Sequence, residues 1–159
     1  MKNKKFNVIL FILFAIPVFL FAQDKPTKVT INIKSIESKV PRDVKSNTKI
    51  SVHDSIRDLR PKLKQIPYRN FDLTSSENFV VPINENQQIA LKNGDLLSLQ
   101  LLYLDSERVG MRMDWKDTQN QQLIDTQLHF DCLETMLVGA EGDDENSGKI
   151  LAVSVTGKE

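Results

Sequence analysis

The chain has 159 residues, 40% of them apolar and 26% charged, with 21 Lys and Arg against 21 Asp and Glu. That length suits a single domain, and the composition is too apolar for disorder and too poor in Gly and Pro for a fibre. A net charge of zero argues against nucleic acid as a partner, since releasing counterions from phosphates needs a basic surplus, and one cysteine excludes an internal disulfide framework.

Residues 1–22 read MKNKKFNVILFILFAIPVFLFA, with Lys2, Lys4 and Lys5 ahead of an apolar run that ends at the small Ala22. This is the layout of a secretory signal peptide. The run is also near the lower limit of about 17 residues for crossing a bilayer. A retained N-terminal anchor is therefore the alternative, and would be the one membrane contact. Pro17 and Ala22 favour cleavage, although Leu20 fits the small-x-small pattern imperfectly. The expected product is periplasmic, outer-membrane-associated or secreted. Losing three lysines leaves it mildly acidic.

Residues 23–28 are a polar, flexible lead-in to a single β-rich domain over 29–156. Val29, Ile31 and Ile33 alternate with polar neighbours and predict a half-buried strand. Residues 35–49, charged and broken by Pro41, read as a loop. Ile56, Leu59, Leu63 and Ile66 then fall at helical spacing, with Ser55-x-x-Asp58 as a capping box. Pro61 predicts a kinked helix over 55–65, or two short turns of which it opens the second. Ile66-Pro67 ends it. On this basis Pro61→Ala is expected to raise helicity and, if the kink is not needed for packing, the unfolding midpoint; a fall would mean that the bend positions Leu63 or Ile66 in the core.

The remainder has the two-residue period of strands. Phe71 and Leu73 alternate, then Phe79, Val81 and Ile83, and Asn93-Gly94 marks a hairpin between 88–92 and 95–104. Strands over 108–116, 122–132, 135–140 and 149–155 complete an α+β fold: a mostly antiparallel meander of seven to eight strands, as a sandwich or curved sheet, with one short kinked helix.

Matching faces sets a register. Tyr103 is expected opposite Val109, Leu101 opposite Met111, Leu99 opposite Met113 and Leu97 opposite Trp115. Met113 then meets Ile124, Met111 meets Thr126 and Val109 meets Leu128, with Phe130 and Cys132 continuing inward. The opposite face carries Gln100, Arg112 and Asp125 side by side, the last two as an ion pair. Ile89, Leu91 and Leu96 gather at one of its ends, Leu102 and Leu104 at the other. These five form the candidate interaction surface.

No catalytic, cofactor or metal constellation emerges. His53 precedes the helix, and His129 alternates outward with Gln127 and Asp131, across from Arg108. Asp131 and Cys132 point to opposite faces of a strand and cannot close on one ion. The acidic residues 141–146 lack EF-hand spacing and read as a solvated hairpin loop rather than a calcium site. Asp125, Asp131 and Glu134 are the carboxylates a hydrolase would use, and they scatter along one strand and its turn.

Several segments carry a resemblance. Ile66-Pro67-Tyr68-x-x-Phe71, Leu123-Ile124-Asp125-Thr126, Thr135-Met136-Leu137-Val138-Gly139 and Ile150-Leu151-Ala152-Val153 are one set. Taken in order, they resemble a family of small exported bacterial proteins without an assigned activity. The stretch from Thr135, through the acidic loop, to the last apolar strand is similar to the closing strands of outer-membrane secretin domains, with Ala140 where those carry a second glycine. The resemblance implies no functional residue. The expected function is a non-enzymatic envelope module that docks on another envelope protein of an assembly or secretion complex. A small-molecule, glycan or lipid binding module is the alternative, and a carboxylate hydrolase ranks last.

Overall fold

The computed structural model describes residues 27–41 and 49–158. The expected signal peptide, most of the expected lead-in and residues 42–48 of the expected loop lie outside them. Strand β1 spans Lys28–Pro41 and β2 Ser51–Val52; a 3₁₀ segment, Asp54–Leu59, runs into helix α1, Arg60–Leu63. Then come β3 (Tyr68–Pro82), β4 (Asn86–Ala90), β5 (Leu96–Leu104), β6 (Arg108–Lys116), β7 (Gln122–Asp131), β8 (Thr135–Glu141) and β9 (Ser147–Lys158). They form two sheets, one of five strands ordered β2-β3-β1-β9-β8 and one of four ordered β4-β5-β6-β7. All pairs are antiparallel except β2 with β3. The fold is thus α+β and dominated by strands, as the alternation predicts.

The two sheets pack face to face. Val29, Ile31, Ile33, Val81, Leu151 and Val153 of the larger meet Leu97, Leu99, Leu101, Met111, Met113 and Trp115 of the smaller, all nearly devoid of solvent contact. The larger sheet has a second buried face. There Ile36, Phe71, Ile150 and Ala152 are covered by Ile56, Leu59 and Leu63 of the helical segment.

One residue makes this double use possible. Phe71, Leu73, Phe79 and Val81 share odd numbers, so a regular strand would put them all on one side. Between Ser35↔Ser75 and Ile36↔Leu73 the register skips Thr74. This β-bulge turns Phe71 and Leu73 to the helical side while Phe79 and Val81 stay with the sandwich core.

The expected loop over 35–49 is corrected for 35–41, where β1 continues. Its lower half is held on both sides, Ile36 opposite Leu73 and Ile150. Pairing overrides the local charge. The helical segment takes the two-turn form. Ile56 breaks helical geometry (φ −127°, ψ 23°) and Pro61 stands in the first turn of α1, where it costs no hydrogen bond. The capping box does not form. His53 is the cap residue, its Nδ1 accepting from the Ser55 amide at 3.3 Å.

In the hairpin at Asn93-Gly94 only Gly94 has positive φ, +90°. The Gly94 amide donates to the Leu91 carbonyl at 2.8 Å and the Asn93 side chain accepts from the Asp95 amide at 3.1 Å. This is a three-residue connection with a glycine bulge rather than a two-residue turn.

The β5–β6 register holds from Leu97↔Trp115 through Leu101↔Met111. It then shifts: Leu102 bulges, Tyr103 opposes Gly110 and Leu104 opposes Val109. Tyr103 therefore leaves the core face on which the alternation puts it, and is 38% exposed. The β6–β7 register sits one pair further along than expected, with Met113↔Thr126, Met111↔Leu128 and Val109↔Phe130. A slip of two residues preserves the face, so Leu128 and Phe130 still point inward.

Candidate docking site at one end of the sandwich

The β5–β6 turn, the β7–β8 turn and the last residues of β9 meet at one end of the sandwich. They enclose an open hollow of about 620 Å³. Its walls are Glu107 and Arg108 on one side, Val155 and Lys158 on another, and Cys132, Leu133 and Glu134 along the rim. The framework is tied by backbone acceptors. Lys158 Nζ donates to the carbonyls of Asp105 (2.9 Å) and Ser106 (2.7 Å), and the Cys132 amide donates to the Glu107 carbonyl at 2.7 Å. Asp105 closes its own turn, its Oδ1 accepting from the amides of Arg108 and Glu107. Those two hydrogen bonds hold its carboxyl below the usual carboxylate range.

Leu133 gives the site its character. It is fully solvated, with 101% relative exposure, while its neighbour Cys132 is 92% buried as a free thiol. Around it the charges alternate in sign, with Arg108 paired to Asp131 at 3.6 Å and Glu107, Glu134 and Lys158 nearby.

Arg108 and Asp131 also line a smaller depression of about 220 Å³, together with Tyr103, His129, Phe130 and Glu134. The rings of Tyr103 and His129 stack with centroids 5.7 Å apart, and the hydroxyl lies 3.0 Å from Nδ1. His129 sits opposite Gly110, and the residue across from Arg108 is Asp131, two positions beyond the expected register.

The five residues of the expected interaction surface are not together. Ile89 and Leu91 are buried at 5% and 4% exposure, because Ile89 pairs with Leu97 and shares its core face. Leu96 is exposed but lies at the far end of β5. Leu104 packs against the core, and Leu102, the bulged residue, is half-buried at the same end as Leu133. Leu133 itself was legible only as an apolar residue stranded in a two-residue turn between strands.

The polar face has its expected ion pair. Arg112 Nη2 lies 2.8 Å and Nε 3.2 Å from the Asp125 oxygens, although Asp125 is diagonal to Arg112, whose direct neighbour is Gln127. The guanidinium holds the Asp125 carboxyl low. Six residues along one strand separate Asp125 from Asp131 by about 20 Å, so the hydrolase carboxylates do not converge. Among the described residues no three His, Cys, Asp or Glu are placed to hold a metal ion, and no helix is long and apolar enough to cross a membrane.

At the opposite end the structure holds a cluster that the sequence did not announce. Asp95, fully buried, accepts from the Trp115 indole N–H at 3.1 Å, from Asn93 Nδ2 at 3.0 Å and from Lys149 Nζ at 3.3 Å. Lys149 also meets Asp143 at 3.1 Å. Burial pushes the lysine down, but Asp143 and Asp95 together outweigh it and hold the ammonium above its ordinary value. The pair joins the residue just before β5 of one sheet to β9 of the other and closes that end. No protein-family model, curated protein sequence or solved structure matches the chain.

Proposed function

We propose that the chain is a non-enzymatic, exported module of the bacterial cell envelope that docks on another envelope protein through the end built around Leu133. The observation that carries this reading is the fully solvated leucine on the rim of a concave, mixed-charge surface. Burying such a side chain yields about 1.5–3 kcal/mol, and the folded chain leaves that gain unrealised. Stable interfaces bury apolar anchors among charged and polar neighbours, and Arg108, Asp131, Glu134 and Lys158 are the charged neighbours of Leu133 in this lining. Export rests on the basic-then-apolar N-terminus.

The test is a photo-crosslinking residue at position 133 in cells of the source organism, with one at Asp58 as control. A discrete adduct from 133 that is absent from 58 is expected. No adduct, or the same adducts from both, overturns the reading.

A second reading, binding of a small polar ligand such as a glycan, is favoured by the outer face of the four-stranded sheet. A hollow of about 550 Å³ there is lined by Asn86, Gln88, Ser98, Asp114, Lys116 and Asn120. Asp114 Oδ1 is buried within that surface without a hydrogen-bond partner. Native mass spectrometry of protein from its source tests this, a retained ligand supporting it and a clean apo mass removing it.

A further inference from the structure

We infer that β8 is a homodimerisation edge, on which a second copy of this chain lays its own β8 antiparallel about a two-fold axis at Val138, joining the two larger sheets into one. Among the described residues β8 ends the sheet order, and it runs Thr-Met-Leu-Val-Gly-Ala-Glu with no proline, no lysine and no bulge against β9. Open edges of that kind pair with other strands. The other edges are guarded. β2 has two residues, β4 begins Asn-Gln-Gln, and β7 carries Asp125, His129 and Asp131.

Three observations select a second copy as the occupant. The first is the phase of the backbone. The Gly142 amide donates to the Ser147 carbonyl, and antiparallel pairs alternate, so Met136, Val138 and Ala140 bond to β9. Thr135, Leu137, Gly139 and Glu141 then direct their N–H and C=O groups outward. A two-fold axis at Val138 pairs Leu137 with Gly139 and Thr135 with Glu141, so that all four outward residues gain strand partners, the Thr135 carbonyl accepting there beside Lys62 Nζ.

The second is Gly139. A Cβ there would meet nothing closer than the Lys149 carbonyl at 3.9 Å, so its own fold does not demand glycine. In the paired edge it stands opposite Leu137 of the second copy, where the missing side chain leaves room. The third is charge. Lys62 Nζ reaches the Thr135 carbonyl at 2.5 Å, and Glu141 of the second copy comes to stand opposite Thr135. The symmetry makes this Lys62–Glu141 complementarity twice.

Sedimentation of the full chain over a range of concentrations tests the inference. A monomer–dimer equilibrium is expected, and a monomer at every concentration overturns it. Lys62→Glu and Glu141→Lys each weaken the dimer several-fold and the double variant restores it; failure of restoration overturns the pairing. In a Cys132→Ser background, Val138→Cys forms a disulfide-linked dimer on oxidation, since a non-hydrogen-bonded pair brings Cα atoms to about 4.5 Å. Met136→Cys, which faces Ala140, does not. Crosslinking at 136 and not at 138 overturns the register. Leu133→Asp leaves the dimer intact; a dimer lost there belongs to the docking end and overturns the assignment to β8.

Discussion

The ring of Tyr103 lies across the backbone of Gly110, so close that a Cβ on Gly110 would fall inside it. The bulge at Leu102 turns Tyr103 outward, the glycine lets the ring lie flat on the sheet, and its hydroxyl lies 3.0 Å from Nδ1 of His129 on the next strand. One ring thereby spans three strands beside the end that carries Leu133. Gly110→Ala is expected to push the ring off the sheet and destabilise the fold by about 1–3 kcal/mol, read as a lower denaturant midpoint. Tyr103→Phe keeps the ring in place and loses one exposed hydrogen bond, about 0.5 kcal/mol.

Asp95 is a buried carboxylate with three donors aimed at it. Asp95→Ala leaves the Trp115 indole without its acceptor and removes one of the two carboxylates from Lys149, and is expected to cost about 3–5 kcal/mol in urea unfolding. Asp95→Asn keeps an acceptor for the indole and costs less. Equal losses in the two variants would mean that the charge, not the acceptor, carries the contribution.

The perturbed groups give stability two limits in pH. Asp105 and Asp125 are held below their ordinary value, so their contributions are complete above about pH 4 and decline as pH falls. Lys149 is held above its ordinary value, so its contribution is complete below about pH 10.4 and is lost as pH rises further. Thermal midpoints across pH should show both limbs. Lys149→Met should remove the alkaline one and leave the acid one.

Thr74 is the added residue that lets one strand serve two cores. Deleting it restores simple alternation and turns Phe71 and Leu73 away from the helical segment. Losing the Phe71 burial alone amounts to about 3–5 kcal/mol. Loss of a cooperative unfolding transition is expected. Thr74→Ala, which keeps the residue and removes only its bond to the Ser35 carbonyl, costs about 1 kcal/mol.

Pro61 opens the second turn, one of the two forms expected from the sequence, and that placement sets the effect expected of replacing it. It is exposed in the first turn of α1, where its fixed φ suits the helix and its missing N–H is not needed. Pro61→Ala therefore lowers stability by about 0.4–1 kcal/mol through the freer unfolded chain, and calorimetry should show a small fall in midpoint rather than a rise.

Local residue order was enough to show which residues are strands over most of 29–158, which faces are apolar, and the paired core positions from Leu97↔Trp115 to Leu101↔Met111. Those are properties of period and volume, both written in local order. It also determined the Arg112–Asp125 pair, because same-face neighbours on adjacent strands remain in reach after a two-residue slip. Where single extra residues sit is settled by the assembled sheets. The bulges at Thr74 and Leu102 change which face a side chain serves without changing its residue type. The same assembly brought Asp95 to Lys149, turned Ile89 and Leu91 into core, and left Leu133 in solvent. Each of those depends on which distant strand lies alongside, and hydrophobic alternation carries no record of that choice.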